Sequence, residues 1–328
     1  MKKLSAVFAL AVILTAFSAC SADNRYSDTY LDLFDTVTEF VAYLPSKDDF
    51  DAASKALRAE LSRLNDLFDA YSDHGGANLK TVNDNAGISA VFVGTDSDLL
   101  HLVEFGKEEY VRSGGKLNIA MGAVTALWRE CMQTGVLPDA DALRSAALHS
   151  DIEKVVISGG SLYLDDPGMR LDVGAIAKGY AAARAVRVLT DMGVTNFALN
   201  IGGNTVTSGK KPNGAWKIGI QDPDGGILTS LGVSGLSVVT SGDYRRFVEI
   251  DGIRYHHIID PNTLYPSDNF RAVTVICPDH AKADALSTEL FLLDVEDGKK
   301  LLADCGAEAI WVMPDGTTVR TEGFSKYE

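Results

Sequence analysis

The stretch Leu171–Ala185, with the sequence LDVGAIAKGYAAARA, combines three local signals. The apolar segment Met169–Val173, which contains one carboxylate, predicts a strand that Gly174 ends. The alanine-rich run after it consists of good helix formers, so a helix should begin near Lys178 and Gly179. The first N–H groups of a helix lack partners and favour an anionic ligand. The stretch therefore predicts an anion-binding turn, with an ordinary connection carrying a surface lysine as the alternative.

The composition is that of a folded globular protein and argues against a nucleic-acid binder. The chain has 328 residues, and 46% of them are hydrophobic, which is enough for a substantial core. Its formal net charge is −15 and no Lys/Arg-rich block occurs, whereas nucleic-acid-binding proteins present a basic patch. A local lysine, a helix terminus or a metal ion can still outweigh a distant acidic surface. We therefore expect no nucleic acid as partner, and phosphate-bearing ligands stay open.

The N-terminus has the pattern of an export signal. Two lysines precede the apolar run Leu4–Phe17, and small residues lead to Cys20. We predict a signal peptide over residues 1–19 and a short polar tether over residues 20–30. The tetrapeptide Phe17–Cys20 resembles a bacterial lipoprotein signal and implies a lipid on Cys20, with plain secretion as the alternative. We thus expect an exported chain, lipid-anchored to a membrane that faces the periplasm or the cell exterior.

Three further cysteines, Cys131, Cys277 and Cys305, have no zinc-ligand spacing. Cys277 and Cys305 lie in apolar surroundings, and we expect buried thiols. One disulfide stays open, because an exported protein lies in an oxidising compartment.

The remaining patterns predict a mixture of helices and strands. Apolar residues have helical spacing over Asp49–Tyr71, and helices are also expected over Leu100–Ser113 and Met121–Met132. Strands or hairpins are expected at Asp32–Val41, Val155–Leu164, Asn196–Ile201, Trp216–Gln221, Val248–His257, Ala272–Ile276 and Ala309–Met313. Because these elements interleave without a regular βαβ repeat, we predict an α+β fold, a single compact mixed α/β domain over residues 31–328.

The second informative segment is ADALSTELFLL, Ala283–Leu293. On a helix, Asp284 and Thr288 are four residues apart and lie on one face, with Ser287 beside them. Carboxylate and hydroxyl oxygens suit Mg²⁺ or Ca²⁺, and Mg²⁺ takes further ligands from water and phosphates. The segment therefore predicts a metal site. The alternative is that Asp284 only caps the first turn of the helix.

Three further clusters are polar without a packing reason. Asn200–Asn204 (NIGGN) ends a strand with two glycines, which permit close approach of a ligand to the backbone. Thr240–Arg245 (TSGDYR) is a turn that delivers an arginine. His256 and His257 are adjacent on a strand and should point to opposite faces. His257 is the candidate general base, with a solvated or hydrogen-bonded histidine as the alternative.

Five motifs of the chain resemble, in order and approximate spacing, those of the ApbE family, the FAD:protein FMN transferases. They are LDVGAIAKGYAAARA, NIGGN, TSGDYRRF, YHHIIDPNTLYPS and ADALSTELFLL. The resemblance covers about Phe34 to Met313 and implies a fold of the ApbE, T-fold-like type. Members of this family are typically exported, often as lipoproteins, which agrees with the N-terminal pattern.

The resemblance also implies which residues bind the ligands. Mg²⁺ would be held by the backbone carbonyl of Ala175 and by the side chains of Asp284 and Thr288, with Ser287 close by. FAD would lie against Tyr71, Lys116, Leu117, Asn118, Asp172, Lys178, His257 and Ile258. The catalytic residues would be Asp284 and His257, the latter assisting deprotonation of a threonine.

The reaction that the resemblance implies is a Mg²⁺-dependent transfer. A threonine hydroxyl of an extracytoplasmic acceptor flavoprotein attacks the FMN phosphorus of FAD, AMP leaves, and a phosphoester bond joins flavin and acceptor. Two alternatives use the same site: a Mg²⁺-dependent FAD pyrophosphatase that yields FMN and AMP, and a periplasmic FAD-binding lipoprotein without chemistry.

Two segments depart from the family pattern. Lys116–Asn118 reads KLN where Ala-Phe-Asp is usual, so an aromatic surface and a carboxylate are missing. Asn262–Leu264 reads NTL where Arg-Thr-Gly is usual, so a glycine-dependent turn must be built differently. These changes bear on flavin binding and acceptor docking, and they leave the metal ligands and Lys178 unchanged.

Overall fold

The computed structural model describes residues 23–303 and 305–328. The predicted signal peptide and Cys20 lie outside the described residues. The helices are α1 (Lys47–Phe68), α2 (Leu79–Asp84), α3 (Asp98–Arg112), α4 (Gly122–Thr134), α5 (Ala140–Ala147), α6 (Ala177–Asp191), α7 (His280–Leu292) and α8 (Val295–Ala303). In this part of the chain, none of the helices combines the length and the apolar character that crossing a bilayer requires.

The strands include two long hairpins and several short pairs. They are β1 (Asn24–Leu33), β2 (Thr36–Leu44), β3 (Val91–Phe92), β4 (Val155–Ser158), β5 (Ser161–Leu164), β6 (Phe197–Ile201), β7 (Asn204–Ser208), β8 (Trp216–Gln221), β9 (Ile227–Val233), β10 (Ser237–Gly242), β11 (Phe247–Ile250), β12 (Ile253–His256), β13 (Ala272–Cys277), β14 (Glu308–Val312) and β15 (Thr318–Arg320). Helices and strands alternate irregularly, and the predicted mixed α/β class is confirmed.

An antiparallel sheet organises the molecule, with strand order β1-β2-β6-β7-β10-β13-β14-β15. Alternate residues of its strands face opposite sides, as the pleat requires. Val239 and Val275 pack under α7 in one hydrophobic cluster, whereas Val238 and Ile276 pack in another with the β8–β9 hairpin. The sheet therefore has a helix layer, made of α1, α6 and α7, on one face and a hairpin on the other.

The first strand was predicted incorrectly. In place of one strand over Asp32–Val41, β1 and β2 form a hairpin, and β1 also takes up residues 24–30 of the predicted tether. The turn contains neither glycine nor proline: Phe34 and Asp35 adopt left-handed φ values of 53° and 52°. The Phe34 N–H donates to Asn65 Oδ1 on α1 at 2.8 Å. A contact distant in sequence therefore holds a turn that local sequence gives no reason to expect.

The strand predicted over Met169–Val173 is also wrong. This segment forms only an isolated bridge between Arg170 and Met121. Both backbone groups of Leu171 are paired outside any sheet: its N–H donates to Asn83 Oδ1 at 2.7 Å, and its carbonyl accepts from the Asn83 amide at 3.0 Å. The segment is thus a buried connection held by a side chain, and its apolar pattern reflects that burial.

The other main predictions are confirmed. Helices α1, α3, α4, α6 and α7 and the β4–β5 and β11–β12 hairpins match their predicted positions. Cys131 and Cys277 are buried free thiols as expected, and Cys305 is a half-buried one. The short helices α2, α5 and α8 were not predicted, because they span too few turns to show a period.

Candidate functional site

The beginning of α6 forms one wall of the site. The turn Gly174–Ile176 leads into the helix, and Lys178 Nζ donates back to the Gly174 carbonyl at 3.2 Å. The Gly179 N–H donates to Asp284 Oδ2 at 2.8 Å, although in a regular helix it would meet the carbonyl of Ala175, four residues earlier. The Ala175 carbonyl therefore lacks its ordinary helical donor and is available to another partner.

Close packing of α6 on α7 depends on Gly179. A Cβ at this position would lie 2.5 Å from the Asp284 Cβ and 2.9 Å from the Ala281 carbonyl oxygen, distances that real Cβ atoms do not show. Only glycine permits this approach. Lys178 therefore supplies a positive charge at this point, and the neighbouring Gly179 permits the close approach of α7.

Asp284 is the buried acidic group of the site, with 4% of its surface exposed. Burial raises the pKa of this carboxyl, and the Lys178 ammonium and the Gly179 N–H oppose the rise. Lys178 Nζ lies 3.6 Å from Asp284 Oδ1. The N-cap of α7 is Asp279, which accepts from the Ala281 and Lys282 N–H groups, so the capping alternative for Asp284 is wrong. Asp284 is a buried carboxylate that a cation would stabilise.

Hydroxyl groups lie around the turn of α7 that follows Asp284. Ser287 is fully buried, and its Oγ lies 2.9 Å from the Asp284 carbonyl and 2.8 Å from Ser241 Oγ. Ser241 Oγ is also 3.5 Å from Thr288 Oγ1. Ser241, at the end of β10, was not predicted as a site residue. Its one signal was its place in the TSGDYRRF motif, since no local spacing relates it to α7.

Asn204 is a second residue that was not predicted as a site residue, although it ends the NIGGN motif. It is fully buried at the start of β7, and neither Oδ1 nor Nδ2 forms a hydrogen bond within the described part of the chain. Its side chain is near enough to lower the pKa of Asp284, although the geometry falls short of a hydrogen bond. Buried amides without partners are rare in folded proteins.

These oxygens fit a Mg²⁺ ion better than a transition metal. Over residues 23–303 and 305–328 there is no group of three or more His, Cys, Asp or Glu side chains that could hold a metal. One carboxylate with hydroxyl, carbonyl and amide oxygens is the donor set of a hard cation that keeps waters and takes phosphate oxygens. Among the described residues, the Asn204 amide and the Ala175 carbonyl have no hydrogen-bond partner, which is consistent with such an ion.

The two histidines point to opposite faces, as predicted. His256 is buried; its Nε2 donates to the Ser267 carbonyl at 2.7 Å and its Nδ1 accepts from the Ile258 N–H at 3.2 Å. His257 keeps contact with solvent, and its Nδ1 lies 3.3 Å from the Arg246 carbonyl. A carbonyl requires a donor, so Nδ1 carries the proton and Nε2 can accept one.

The surroundings of His257 keep it neutral. Crowding by protein atoms lowers the pKa of its imidazole, and the nearby His256, Arg246 and Lys178 lower it further. The part of the ring that remains in contact with solvent reduces the size of this effect. The Lys178 ammonium is close enough to lower the pKa of His257, and a neutral imidazole near that charge suits a general base for an anionic substrate.

Tyr71 and Asp172 are brought together beside α4. The Arg129 guanidinium lies 3.7 Å from the centre of the Tyr71 ring. Crowding by neighbouring protein atoms and the Asp172 carboxylate raise the pKa of Tyr71, which keeps 45% of its surface exposed. Asp172 accepts from Thr125 Oγ1 at 2.7 Å and from the Gly174 N–H at 2.9 Å, which connects this aromatic surface to the turn before α6.

Other predicted FAD contacts have structural partners. Lys116 Nζ donates to both carboxylate oxygens of Asp260 at 3.2 and 3.1 Å. Asn118 donates to the Ser150 carbonyl and accepts from the Ala120 N–H. Leu117 and Ile258 are 2% and 5% exposed and pack in hydrophobic clusters, so a ligand would meet chiefly their backbone atoms.

The turn after Asp260 forms without the expected glycine. Leu264 adopts a left-handed φ of 65°, and its N–H donates to the Asp260 carbonyl at 2.8 Å. Trp128 Nε1 holds the Leu264 carbonyl at 2.8 Å. These hydrogen bonds offset the backbone strain of a left-handed leucine.

Comparison with known proteins agrees with this geometry. A family model described as the ApbE family matches residues 34–311. The FAD:protein FMN transferase of Treponema pallidum is 37% identical over 258 residues, 72% of this chain and 71% of that protein. One from Klebsiella pneumoniae is 36% identical over 248 residues, 72% of this chain and 76% of that protein. The crystal structure of the ApbE protein of Thermotoga maritima superposes with a TM-score of 0.83 at 27% identity and covers 93% of this chain and 99% of that one.

Proposed function

Because this chain belongs to the ApbE family and is a flavin transferase by its relatives, we propose that it moves FMN from FAD onto a threonine hydroxyl of an acceptor protein. The transfer depends on Mg²⁺ and releases AMP. The observation that carries the proposal is the buried Asp284 carboxylate, hydrogen-bonded to the N-terminus of α6 beside Lys178. This arrangement places negative and positive charge where a metal-bound pyrophosphate would need both.

The residues of the chain divide the work. Bound Mg²⁺ would neutralise charge on the pyrophosphate, held by Asp284, Thr288 and the Ala175 carbonyl with Ser287 close by. Lys178 places a positive charge beside Asp284, available to the phosphates. Tyr71 and Asp172 present an aromatic surface and a carboxylate for the rest of FAD. His257 Nε2 accepts the proton of the threonine hydroxyl as that oxygen attacks phosphorus.

The test is the fate of FAD incubated with the protein, Mg²⁺ and a peptide that carries an acceptor threonine. Covalent flavin on the peptide supports transfer. Free FMN with an unmodified peptide would instead identify a pyrophosphatase, and unchanged FAD in a bound complex would identify a storage protein. Either of the last two results overturns the proposal.

The Asp284→Asn variant tests the metal site directly. Removing the negative charge of this ligand should lower Mg²⁺-dependent turnover by about 100-fold or more, the size of loss seen when one charge-stabilising group of an active site is removed. Asp191→Asn, at an exposed position on the same α6–α7 pair of helices, is the matched control and should retain full activity. Full activity in Asp284→Asn would remove this residue from the site.

We propose the exported, lipid-anchored location on the N-terminal pattern, which implies that the acceptor is also exposed outside the cytoplasm. Cell fractionation tests this. The intact chain should sediment with membranes, and Cys20→Ala should be released in soluble form. A Cys20→Ala variant that stays in the membrane fraction would contradict a lipid on Cys20.

A further inference from the structure

Asn204 occupies an unusual position for an amide. It begins β7 directly after the Gly202-Gly203 turn, is 0% exposed, and has neither Oδ1 nor Nδ2 in a hydrogen bond among the described residues. Burial removes water from these atoms, so the chain bears their full desolvation cost. A buried polar side chain of this kind calls for a partner that protein atoms alone do not supply.

The fold places this side chain beside the proposed cation. Asn204 pairs with Val239 on β10, two residues before Ser241, and α6 and α7 pack over β7 and β10. Asn204 lies on the same side of the sheet as Val239 and Ser241, where Val239 packs under α7. Ser241 contacts Ser287, whose Oγ lies 2.9 Å from the Asp284 carbonyl. Asn204 therefore lies between the sheet and the two helices, next to the one buried carboxylate of the site.

The backbone of Asn204 is firmly held. The Gly203 N–H donates to Asn200 Oδ1 at 2.9 Å, and the Gly203 carbonyl accepts from the Thr240 N–H at 3.3 Å. Arg245 donates to the Gly202 carbonyl at 2.7 Å and lies where a Cβ on Gly203 would be. The backbone that carries the amide is thus held in place, as the support of a ligand should be.

Two roles are chemically open to a buried amide at this place. As a donor, Nδ2 would orient the Asp284 carboxylate, but Oδ1 would then stay without a partner. As a ligand, Oδ1 would coordinate the cation, which accepts neutral amide oxygens. The second role satisfies the oxygen and adds a ligand to a site that has a single carboxylate.

We propose that Asn204 Oδ1 is a further ligand of the cation bound by Asp284 and Thr288, an assignment that rests on the Mg²⁺ site of the proposed function. The two roles differ in the effect of a carboxylate at position 204. An added acidic oxygen would strengthen coordination of a cation, but it would repel Asp284 if the asparagine served only as a donor.

The experiment measures Mn²⁺ binding by electron paramagnetic resonance in the presence of ADP, which supplies a pyrophosphate without a flavin to transfer. Asn204→Leu should weaken Mn²⁺ binding by about 10-fold or more, as losses around metal sites do. Asn204→Asp should bind Mn²⁺ as tightly as the unaltered chain or more tightly. Equal weakening in both variants, or unchanged binding in Asn204→Leu, overturns the proposal.

Thermal unfolding without added metal provides the second measurement. Asn204→Leu should melt at the same or a higher temperature, because an unpartnered buried amide is replaced by an apolar side chain of similar size. Thr38→Val on β2 is the matched control, because the Thr38 hydroxyl is also fully buried without a partner among the described residues; it should leave Mn²⁺ binding unchanged. If Asn204→Leu does not fold, Asn204→Asp decides: loss of Mn²⁺ binding there overturns the proposal.

These measurements separate this proposal from the proposed function. Mn²⁺ binding that depends on residue 204, in a chain that does not transfer flavin, would overturn the function and leave the ligand assignment standing. If the unaltered chain transfers flavin and Asn204→Leu binds Mn²⁺ normally, the proposed function stands and the ligand assignment is overturned.

Discussion

At the scale of single residues, the site combines groups that sequence spacing predicts with groups that it does not. Asp284 and Thr288 lie four residues apart on one helix, so their common face follows from helical geometry alone. Ser241 and Asn204 reach the same place from β10 and β7. Their role depends on how strands pair, and a single sequence does not contain that information.

The protonation of His257 leads to a prediction about pH. Because crowding by protein atoms and neighbouring positive charge lower its pKa, the imidazole is neutral and able to accept a proton well below the ordinary value of 6.5. We therefore expect kcat/KM for flavin transfer to stay constant from pH 8 down to about pH 6. His257→Gln should lower kcat by a larger factor than it weakens FAD binding, which is followed by flavin fluorescence.

The control for this prediction is His101→Gln, on α3, which should behave like the unaltered chain. An acid limb with an apparent pKa of 6.5 or above, absent in His257→Gln, would show that the histidine is not held neutral.

At the scale of elements, the contact between α6 and α7 sets the position of Asp284. Gly179→Ala would improve helix propensity, but its Cβ would collide with Asp284. Overpacking of this kind costs about 1–3 kcal/mol. Because the two helices move apart, we expect a lower free energy of unfolding in urea. We also expect weaker Mg²⁺ binding, so that half-maximal turnover needs a higher Mg²⁺ concentration.

Gly232→Ala is the matched substitution, since a Cβ there meets only ordinary contacts at 3.8 Å or more. It should be nearly neutral. If Gly179→Ala proves equally neutral in stability and turnover, the close approach of the helices is not needed.

A second element-scale prediction concerns the inner side of α7. Glu289 is fully buried, with Oε2 2.7 Å from Arg112, which also pairs with the buried Glu109. Burial raises the pKa of Glu289 well above its usual range; Arg112 opposes this and Glu109 adds to it.

The folded chain therefore binds a proton at Glu289 that the unfolded chain releases above the ordinary pKa of 4.5. Stability is fully present below this value and falls as pH rises through the raised one. Glu289→Gln should reduce the fall in melting temperature between pH 5 and pH 8, whereas Glu104→Gln, exposed on α3, should not. Identical pH profiles for Glu289→Gln and the unaltered chain would exclude this role.

Elements with a clear period or a hairpin turn signal were predictable, and those held by distant contacts were not. Helix α1 and the β11–β12 hairpin follow from local pattern. The Phe34-Asp35 turn and the connection Met169–Val173 depend on Asn65 and Asn83, which lie far away in sequence. A buried irregular segment and a buried strand have the same apolar composition and differ only in their hydrogen-bond partners. Composition alone therefore does not distinguish them.

At the scale of the whole molecule, the antiparallel sheet brings five separated segments to one place. The order β6-β7-β10-β13 sets the NIGGN turn beside the end of β10, and α6 and α7 lie across these strands. The α+β class and the five motifs were predictable from sequence. The convergence of their side chains was not, because it results from strand order and helix packing, which no local pattern encodes.

The most direct measurement is mass spectrometry of an acceptor protein after incubation with the chain, FAD and Mg²⁺, with the released AMP quantified in the same sample. We predict one covalent flavin phosphate on a threonine for each AMP released, and neither product with Asp284→Asn. AMP released in step with free FMN, with the acceptor threonine unmodified, would contradict flavin transfer at this site.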